Sequence, residues 1–325
     1  MKGGKEISEG YKGITYDVYN RNDNIDFYTI LKTAKPERLV LYGLDEKIRL
    51  VNQYENVLKH LENKNNFIVK KFKRGNIITG NAKNNFRNEL KSIKKLSIIY
   101  KNKFSYYTSL KPIFTYHFND INHKKMDIYA ISYGYYYFIF QEKCHKTVDN
   151  IDFTQEEFNK FINDIYESLL ILQQNNFLHN DIKADNIIYC NNKYKLIDWD
   201  ISYIKYAPFK SFIKGSGGNF IFNHPIKFYN LGLTLFIFKF FFIFFKNLNY
   251  KSNKWLYELE SFKIITEKSI ESAEYLIKKN KKNTLTKYYD MYSFACVIIC
   301  LAEKNNLEYP KEFVNKLLEP FNIYY

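Results

Sequence analysis

Arginine is scarce in this chain, and lysine supplies almost all of the positive charge behind the net charge of +15. The sequence is also rich in asparagine, isoleucine, tyrosine and phenylalanine, a combination typical of an AT-rich coding sequence. Genome bias is therefore favoured over a nucleic-acid or membrane role as the cause of the charge. We expect no sequence-specific nucleic-acid partner, although the charge can still steer anionic ligands toward the protein. The arginines are Arg21, Arg38, Arg49, Arg74 and Arg87.

Cysteine is scarce as well. The four cysteines show no paired zinc-ligand spacing, and they are too few for disulfide bonds to stabilise a chain of 325 residues. We therefore expect reduced, buried thiols in an intracellular, cytoplasmic protein, and the N-terminus has no apolar stretch of signal-peptide length. The cysteines are Cys144, Cys190, Cys296 and Cys300.

Long uninterrupted hydrophobic runs are also lacking. The nearest approach is residues 228–245, an aromatic stretch of 18 residues with Lys239 near its middle. A membrane-spanning helix needs about 20 apolar residues, and a central lysine costs about 2.5–3.5 kcal/mol on insertion. We interpret the stretch as a buried helix, with membrane association as the less favoured alternative.

Strand patterns dominate the first part of the chain and helix patterns the second, with the change near residues 141–150. In the second part, Thr154 and Glu157 form a capping-box pattern ahead of an apolar stripe with helical spacing. The other predicted elements are strands at 1–20 (around a glycine turn), 67–72, 129–141, 187–190 and 194–197, and helices at 46–63 and 85–96.

Residues 177–187 (FLHNDIKADNI) carry the strongest chemical signal. Phosphoryl transfer needs a carboxylate that accepts the proton of the attacking hydroxyl, and ligands that hold Mg²⁺ against a triphosphate. Asp181 and Asn186 stand five residues apart and can offer a base and a metal ligand from one loop. Asp198, from the next hairpin, can add a second ligand, and Lys183 can neutralise charge on the transferred group.

The pattern H-x-D-I-K-x-x-N at residues 179–186, with Asp198-Trp199-Asp200 after it, resembles the catalytic motifs of eukaryotic protein kinases. The composition and the degenerate motifs look like those of kinases from large DNA viruses, which would place the protein in a host cell or virion. The resemblance implies a Ser/Thr kinase that uses ATP and Mg²⁺ and acts on a protein substrate; we expect a monomer. It makes Asp181 and Lys183 catalytic, and Asn186 and Asp198 magnesium ligands.

Two upstream segments resemble the phosphate-binding parts of the same family. The strand at residues 67–72 is similar to the one that carries the ATP-pairing lysine, which would be Lys70. The helix that follows would carry the glutamate that pairs with this lysine, Glu89. Residues 8–15 resemble the glycine loop, in which Gly10 and Gly13 would let the backbone approach the phosphates.

Residues 137–144 resemble the fifth strand and hinge, so the backbone from Gln141 to Lys143 would contact adenine. Downstream, His224-Pro225 resembles the end of an activation segment, but Ile226 replaces the family's glutamate. The arginine that normally pairs with this glutamate is missing too, because no arginine follows Arg87. Asp290 and the apolar residues after it resemble the start of the family's buried F helix. A rival for that helix, residues 230–236, lacks the aspartate.

These features predict an α+β protein with the bilobal protein-kinase fold. Residues 1–143 would form an N-lobe with an antiparallel sheet, one helix and an insertion at about 21–64. Residues 144–325 would form a mainly helical C-lobe with an insertion at about 226–286. ATP would bind between the lobes, where ligand clefts tend to lie.

Two other functions stay open. A small-molecule kinase related to the aminoglycoside and choline kinases is favoured by Asp198-Trp199-Asp200 and by Asn180, where protein kinases have arginine. A catalytically weak pseudokinase scaffold is favoured by Asp200 and by Ser8, which stands in place of a loop glycine. Lys183 argues against the first alternative, and the retained lysine, glutamate and metal-ligand positions argue against the second.

Overall fold

The structure, a computed structural model, describes residues 6–9, 13–17, 38–44, 46–49, 67–72, 82–118, 124–144, 146–200, 202–204, 224–226, 259–279 and 285–325. The chain has mixed α and β structure, which confirms the predicted α+β class. It divides into two compact units, Met1–His145 and Lys146–Tyr325. The division falls two residues after the boundary predicted from the sequence.

The first unit is built on an antiparallel sheet. Its described strands are β1 (Glu6–Glu9), β2 (Gly13–Asp17), β3 (Leu39–Tyr42), β4 (Lys47–Arg49), β5 (Phe67–Phe72), β6 (Phe114–His117), β7 (Lys125–Ile128), β8 (Ala130–Tyr133) and β9 (Tyr136–Glu142). Seven of them pair in the order β1-β2-β5-β9-β8-β3-β4, and every neighbouring pair is antiparallel. The remaining two, β6 and β7, form a separate antiparallel pair.

The predicted helix at residues 46–63 is wrong at its start, because Lys47–Arg49 forms strand β4. This strand pairs with β3, in which Leu41 lies opposite Ile48. Leu41 is buried and Ile48 packs against the same apolar cluster, so tertiary pairing overrides the helical spacing of the local sequence. Residues 50–63 lie outside the described part of the chain.

An apolar cluster lies against the sheet and includes Phe67 and Val69 of β5. Helix α1 (Ala82–Tyr100) covers the predicted span 85–96, and its apolar stripe is buried at Phe86, Ile93 and Leu96. The Phe86 ring contacts the rings of Tyr42, Phe72 and Tyr137, which fixes α1 against β5 and β9. A single turn, α2 (Phe104–Tyr107), follows α1.

The second unit begins with the predicted capping box. Helix α3 (Gln155–Gln174) starts after Thr154, whose side chain accepts from the Glu157 backbone while the Glu157 carboxylate accepts from the Thr154 backbone. The expected apolar stripe of α3 is buried. Its members are Phe158, Phe161, Ile162, Ile165, Leu169 and Leu172.

Short strands precede and follow α3 and flank the residues singled out by their chemistry. They are β10 (Lys146–Thr147), β11 (Phe177–Leu178), β12 (Ile187–Cys190), β13 (Lys193–Leu196) and β14 (Tyr203–Ile204). Strands β12 and β13 form a hairpin with Ile187 opposite Leu196. Strand β13 begins and ends one residue earlier than the predicted span 194–197. Strand β10 adds to this hairpin, and β11 pairs with β14.

The core of the second unit is a helix buried on all sides. The described helices after α3 are α4 (Glu260–Lys278), α5 (Tyr289–Asn305) and α6 (Lys311–Leu318). Every residue of α5 from Tyr289 to Ala302 is buried, which confirms that Asp290 opens a buried helix. The Glu303 carboxylate at the end of α5 accepts hydrogen bonds from the backbone N–H groups of Glu260 and Ser261, which caps α4.

Cys296 and Cys300 of α5 are buried free thiols, as predicted, and burial raises the pKa of Cys296 to about 12. Cys144 and Cys190 are not free thiols, which corrects the prediction of thiols at these positions. None of the described helices is long and apolar enough to cross a membrane. Residues 228–245 and the rival helix at 230–236 lie outside the described part.

An uncharged hydrogen-bond chain ties the short segment 224–226 to α4 and to the C-terminal end of the unit. His224 is fully buried, and its Nδ1 accepts from the Ile226 backbone N–H at 3.2 Å. Its Nε2 therefore carries the proton and faces Ser272 Oγ at 3.2 Å, while Ser272 donates to the Phe321 carbonyl. Burial lowers the pKa of His224 to about 3, so the imidazole is neutral at neutral pH.

This burial predicts acid sensitivity of the second unit. A histidine in the unfolded chain has a pKa near 6.5. Below that pH the imidazole of residue 224 is protonated in the unfolded chain but remains neutral in the folded protein. Stability should fall as pH drops from about 6.5 toward 3, by up to about 1.4 kcal/mol per pH unit for this group. Urea unfolding monitored by tryptophan fluorescence measures it, because both tryptophans, Trp199 and Trp255, belong to this unit.

The variant His224→Gln should show a shallower loss of stability below pH 6.5 than the parent protein. His117→Gln is the matched control, because His117 is exposed in the first unit. A His224→Gln profile as steep as that of the parent would contradict the assignment of the acid sensitivity to His224.

Candidate active site

The loop that follows β11 is held by a carboxylate more than one hundred residues away in sequence. Asp290, in the first turn of α5, accepts the backbone N–H of His179 at 2.6 Å and that of Asn180 at 2.8 Å. The Asp290 side chain is buried, and the start of a helix favours a negative charge. Two charge-assisted hydrogen bonds therefore fix the backbone just before Asp181.

Asn180 has a φ of 73°, in the left-handed region that non-glycine residues rarely adopt. Asparagine tolerates this conformation better than most residues because its short polar side chain can bond locally. The two bonds to Asp290 offset the cost of the conformation. The position of Asp181 thus depends on a strained residue that a buried carboxylate holds in place.

His179 links this loop to the strand that precedes Asp198. Its Nδ1 accepts from the Asp181 backbone N–H at 3.3 Å, so Nε2 carries the proton and donates to the Ile197 carbonyl at 2.8 Å. Burial lowers the pKa of His179 below its ordinary value, although the carboxylates of Asp290, Asp181 and Asp198 oppose the shift. His179 is therefore a neutral bridge between the two acidic segments.

Asp181 and Asn186, which the sequence placed on one loop, are in direct contact. Asn186 Nδ2 donates to Asp181 Oδ2 and to the Asp181 carbonyl, each at 2.9 Å. A turn of 3-10 helix at Ala184–Asn186 brings them together, closed by a bond from the Asn186 N–H to the Lys183 carbonyl. Because its nitrogen bonds Asp181, the Asn186 side chain has its oxygen left to act as a cation ligand.

Lys183 lies in a strongly negative field. Burial alone would lower the pKa of Lys183, but the carboxylates of Asp181, Asp185, Asp198 and Asp149 outweigh burial and raise the pKa above its ordinary value. The lysine therefore stays charged at neutral pH. Because the charges of Asp181 and Asp198 both raise the pKa of Lys183, both carboxylates lie near its ammonium group.

Asp198 follows strand β13 with a φ of 67°, a second left-handed residue in the same region. The Ile197 N–H donates to the Asn186 carbonyl at 2.9 Å, which extends the β12–β13 hairpin to the residue next to Asp198. Trp199 is buried beside His179, with ring centroids 4.5 Å apart. The hairpin and the tryptophan thus determine where Asp198 stands.

The contact between the carboxyl groups of Asp149 and Asp185, beside the loop, was not predicted from the sequence. Burial raises the pKa of Asp185 to about 6; Lys183 opposes the shift, and the charge of Asp149 and a hydrogen bond with its side chain add to it. Asp149 lies in a 3-10 turn, Val148–Asn150, and it gave no signal in the sequence because it belongs to no motif.

In the first unit, the predicted ion pair forms: Lys70 Nζ lies 2.8 Å from Glu89 Oε2. The Glu89 side chain is fully buried and that of Lys70 is 10% exposed. Lys70 is in β5 and Glu89 is on the inner face of α1, so the pair joins the sheet to the helix. Lys71, the neighbour that could have taken this role, lies over the Tyr136 ring instead.

The other predicted nucleotide-binding positions that the structure describes, Gly13, Gln141 and Lys143, lie in the same sheet or at its ends. Gly13 opens β2 and pairs with Phe72, whereas Gly10 lies outside the described residues. Gln141 is buried in β9, opposite Ile68 on one side and Leu110 on the other. Lys143 is exposed just after β9.

No protein-family model matches the chain, and no curated protein matches it.

The dependence of the loop on Asp290 gives a stability prediction. Asp290→Ala leaves two buried backbone N–H groups without an acceptor, each costing about 1–3 kcal/mol, so we expect a loss of about 3 kcal/mol or more. Asp290→Asn keeps one acceptor oxygen, so its loss of stability should be smaller. Urea unfolding measures both, with Asp152→Ala as an exposed control in the same unit. Equal stability of Asp290→Ala and the control would contradict the role of Asp290.

Proposed function

We propose that the protein is an ATP-dependent kinase with the bilobal protein-kinase fold, which transfers a phosphoryl group to Ser or Thr of a protein substrate. The observation that carries the proposal is the contact of Asn186 with Asp181 in a loop that His179 joins to the residue before Asp198. A base and two oxygen ligands from short, strained segments are the parts that phosphoryl transfer needs.

The residues fit Mg²⁺ and a nucleotide in their chemistry. Mg²⁺ prefers oxygen ligands, and the Asn186 amide oxygen and the Asp198 carboxylate are of that type. Bound Mg-ATP would supply the phosphoryl group and the metal's neutralising charge. The Lys70 ammonium would bind phosphate oxygens, with buried Glu89 fixing its position. Gly10, Gly13 and the backbone from Gln141 to Lys143 would line the rest of the nucleotide site.

In this proposal Asp181 orients the substrate hydroxyl and accepts its proton, and Asn186 fixes the direction of the Asp181 carboxylate. Lys183, whose charge the surrounding carboxylates stabilise, neutralises charge on the transferred group. Lys183 also supports a Ser/Thr protein kinase over the small-molecule alternative.

The proposal predicts separable effects of two substitutions. Asp181→Ala should lower kcat/KM for transfer from [γ-³²P]ATP by at least about 10²-fold, because it removes a general base, while nucleotide binding persists. Asp198→Ala should abolish transfer and also the Mg²⁺-dependent part of ATP binding. Fluorescence titration with a labelled ATP analogue, with and without Mg²⁺, separates the two effects.

The transfer assay should test casein, a basic protein and choline side by side, with Asp152→Ala as the exposed control. Transfer to choline alone would replace the proposal with a small-molecule kinase. ATP binding without transfer to any acceptor would favour a scaffold. Near-parent turnover in either Asp181→Ala or Asp198→Ala would show that the assigned residues are wrong.

A further inference from the structure

The outer surface of α1 and the turns after it form a strongly basic region. From Ala82 to Tyr107 the chain has seven basic residues and one acidic residue, Glu89, whereas the whole chain has 49 basic and 34 acidic residues. Glu89 is fully buried against Lys70, so it contributes no negative charge to the outer surface. The basic residues are Lys83, Arg87, Lys91, Lys94, Lys95, Lys101 and Lys103.

Four of these side chains form a line, which we call the basic stripe: Lys83, Arg87, Lys91 and Lys94. All four are exposed, and their spacing of four, four and three residues puts them on one face of the helix. At 1.5 Å per residue the stripe is about 16 Å long. Exposed Lys101 and Lys103 continue the positive charge beyond it.

The stripe is unfavourable for an isolated helix. Like charges at i and i+4 destabilise a helix by about 0.2–0.5 kcal/mol per pair, and solvent-exposed helices usually alternate acidic with basic residues. Lys83 with Arg87, and Arg87 with Lys91, are such like-charged pairs. Genome bias explains why lysine is abundant here, but it does not explain why acidic residues are missing from this face. An anionic partner would turn the repulsion into attraction.

Exposed polar and aromatic groups around the stripe indicate the kind of anion. Asn84 and Asn88 are exposed beside it and can donate hydrogen bonds, and Tyr106 is 47% exposed past its far end. Between Lys83 and Lys94 no apolar side chain is exposed. Protein interfaces draw their affinity from buried aromatic and aliphatic anchors, and interfacial membrane helices from an apolar face. In α1 the apolar residues between Lys83 and Lys94 are buried or partly buried, and Ile98, one turn beyond Lys94, is the one strongly exposed apolar side chain of the helix.

We propose that the basic stripe binds the phosphate backbone of a nucleic-acid strand, independently of base sequence. Phosphate contacts need only cations and hydrogen-bond donors, which is what this face offers, and an exposed tyrosine can stack on a base. The proposal goes beyond phosphoryl transfer and does not rest on it. It also agrees with the expectation that the chain has no sequence-specific nucleic-acid partner.

The release of counterions makes the proposal quantitative. For a single strand, log K falls with log salt concentration with a slope of about −0.7 for each neutralised phosphate. Four stripe cations should therefore contribute about −3 to the slope. The loss of affinity with rising salt concentration should not depend on the base sequence of the oligonucleotide.

The test measures binding of fluorescein-labelled dT₂₀ and a mixed-sequence 20-mer by fluorescence anisotropy, across about 50–200 mM NaCl. The stripe variant is Lys83→Gln/Arg87→Gln/Lys91→Gln/Lys94→Gln. The matched control replaces four exposed lysines of the second unit, Lys278, Lys279, Lys287 and Lys311, with glutamine, which lowers the net charge equally. Circular dichroism and urea unfolding check the fold. If the quadruple variant fails to fold, the two pairs are replaced separately, and each should remove about half of the effect.

We expect the parent and the control to bind both oligonucleotides alike, and the stripe variant to bind at least about tenfold more weakly at low salt, with a slope shallower by about 3. Equal weakening of the stripe variant and the control would overturn the proposal, since net charge alone would then explain binding. Absence of binding by the parent would overturn it too. A poly-glutamate peptide or phosphatidylserine vesicles that bind as tightly as dT₂₀, and with the same stripe dependence, would overturn the choice of nucleic acid.

Discussion

The buried carboxylate of Asp290 is the constraint on which the candidate site of the second unit depends. It accepts two backbone N–H groups of the loop that carries Asp181, at 2.6 and 2.8 Å, and holds Asn180 in a left-handed conformation. The carboxylate is fixed because α5 is buried from Tyr289 to Ala302 and cannot shift without disturbing the core. The polar loop is therefore held rigidly by an apolar helix. This support positions a reactive side chain more accurately than the loop could by itself.

The first unit uses a buried charge in a comparable way. Lys70 and Glu89 are both removed from water, and the desolvation of such a pair offsets much of its attraction, so the pair adds little to net stability. Its value is positional: loss of either partner would leave the other charge buried and uncompensated. The sheet residue Lys70 is therefore confined to one place relative to α1. The exposed basic residues of the same helix lie on its opposite face, so one helix combines a fixed internal ion pair with a basic outer surface.

Neutral contacts replace charged ones where the sequence lacks arginine. Ile226 is buried in an apolar environment, and the adjoining His224 anchors the segment 224–226 through Ser272 and Phe321 without any formal charge. His179 is neutral too, because one ring nitrogen donates and the other accepts. Burial lowers the pKa values of both histidines, which further favours their neutral forms. In the second unit, hydrogen bonds of the neutral histidines thus add to the charge-assisted bonds that Asp290 makes with the acidic loop.

Local chemistry in the sequence was sufficient for the elements whose signals lie within a few residues. Thr154 and Glu157 predicted the start of α3, the apolar spacing predicted the buried faces of α1 and α3, and motif spacing predicted the Lys70–Glu89 pair. Partners distant in sequence could not be read in this way. Residues 47–49 have helical spacing but form a strand because β3 lies beside them, and Asp149 reaches Asp185 without a motif. The protonation of His179 and the support of its loop by Asp290, 111 residues away, were likewise decided by tertiary structure, because burial and hydrogen-bond geometry exist only after the chain has folded.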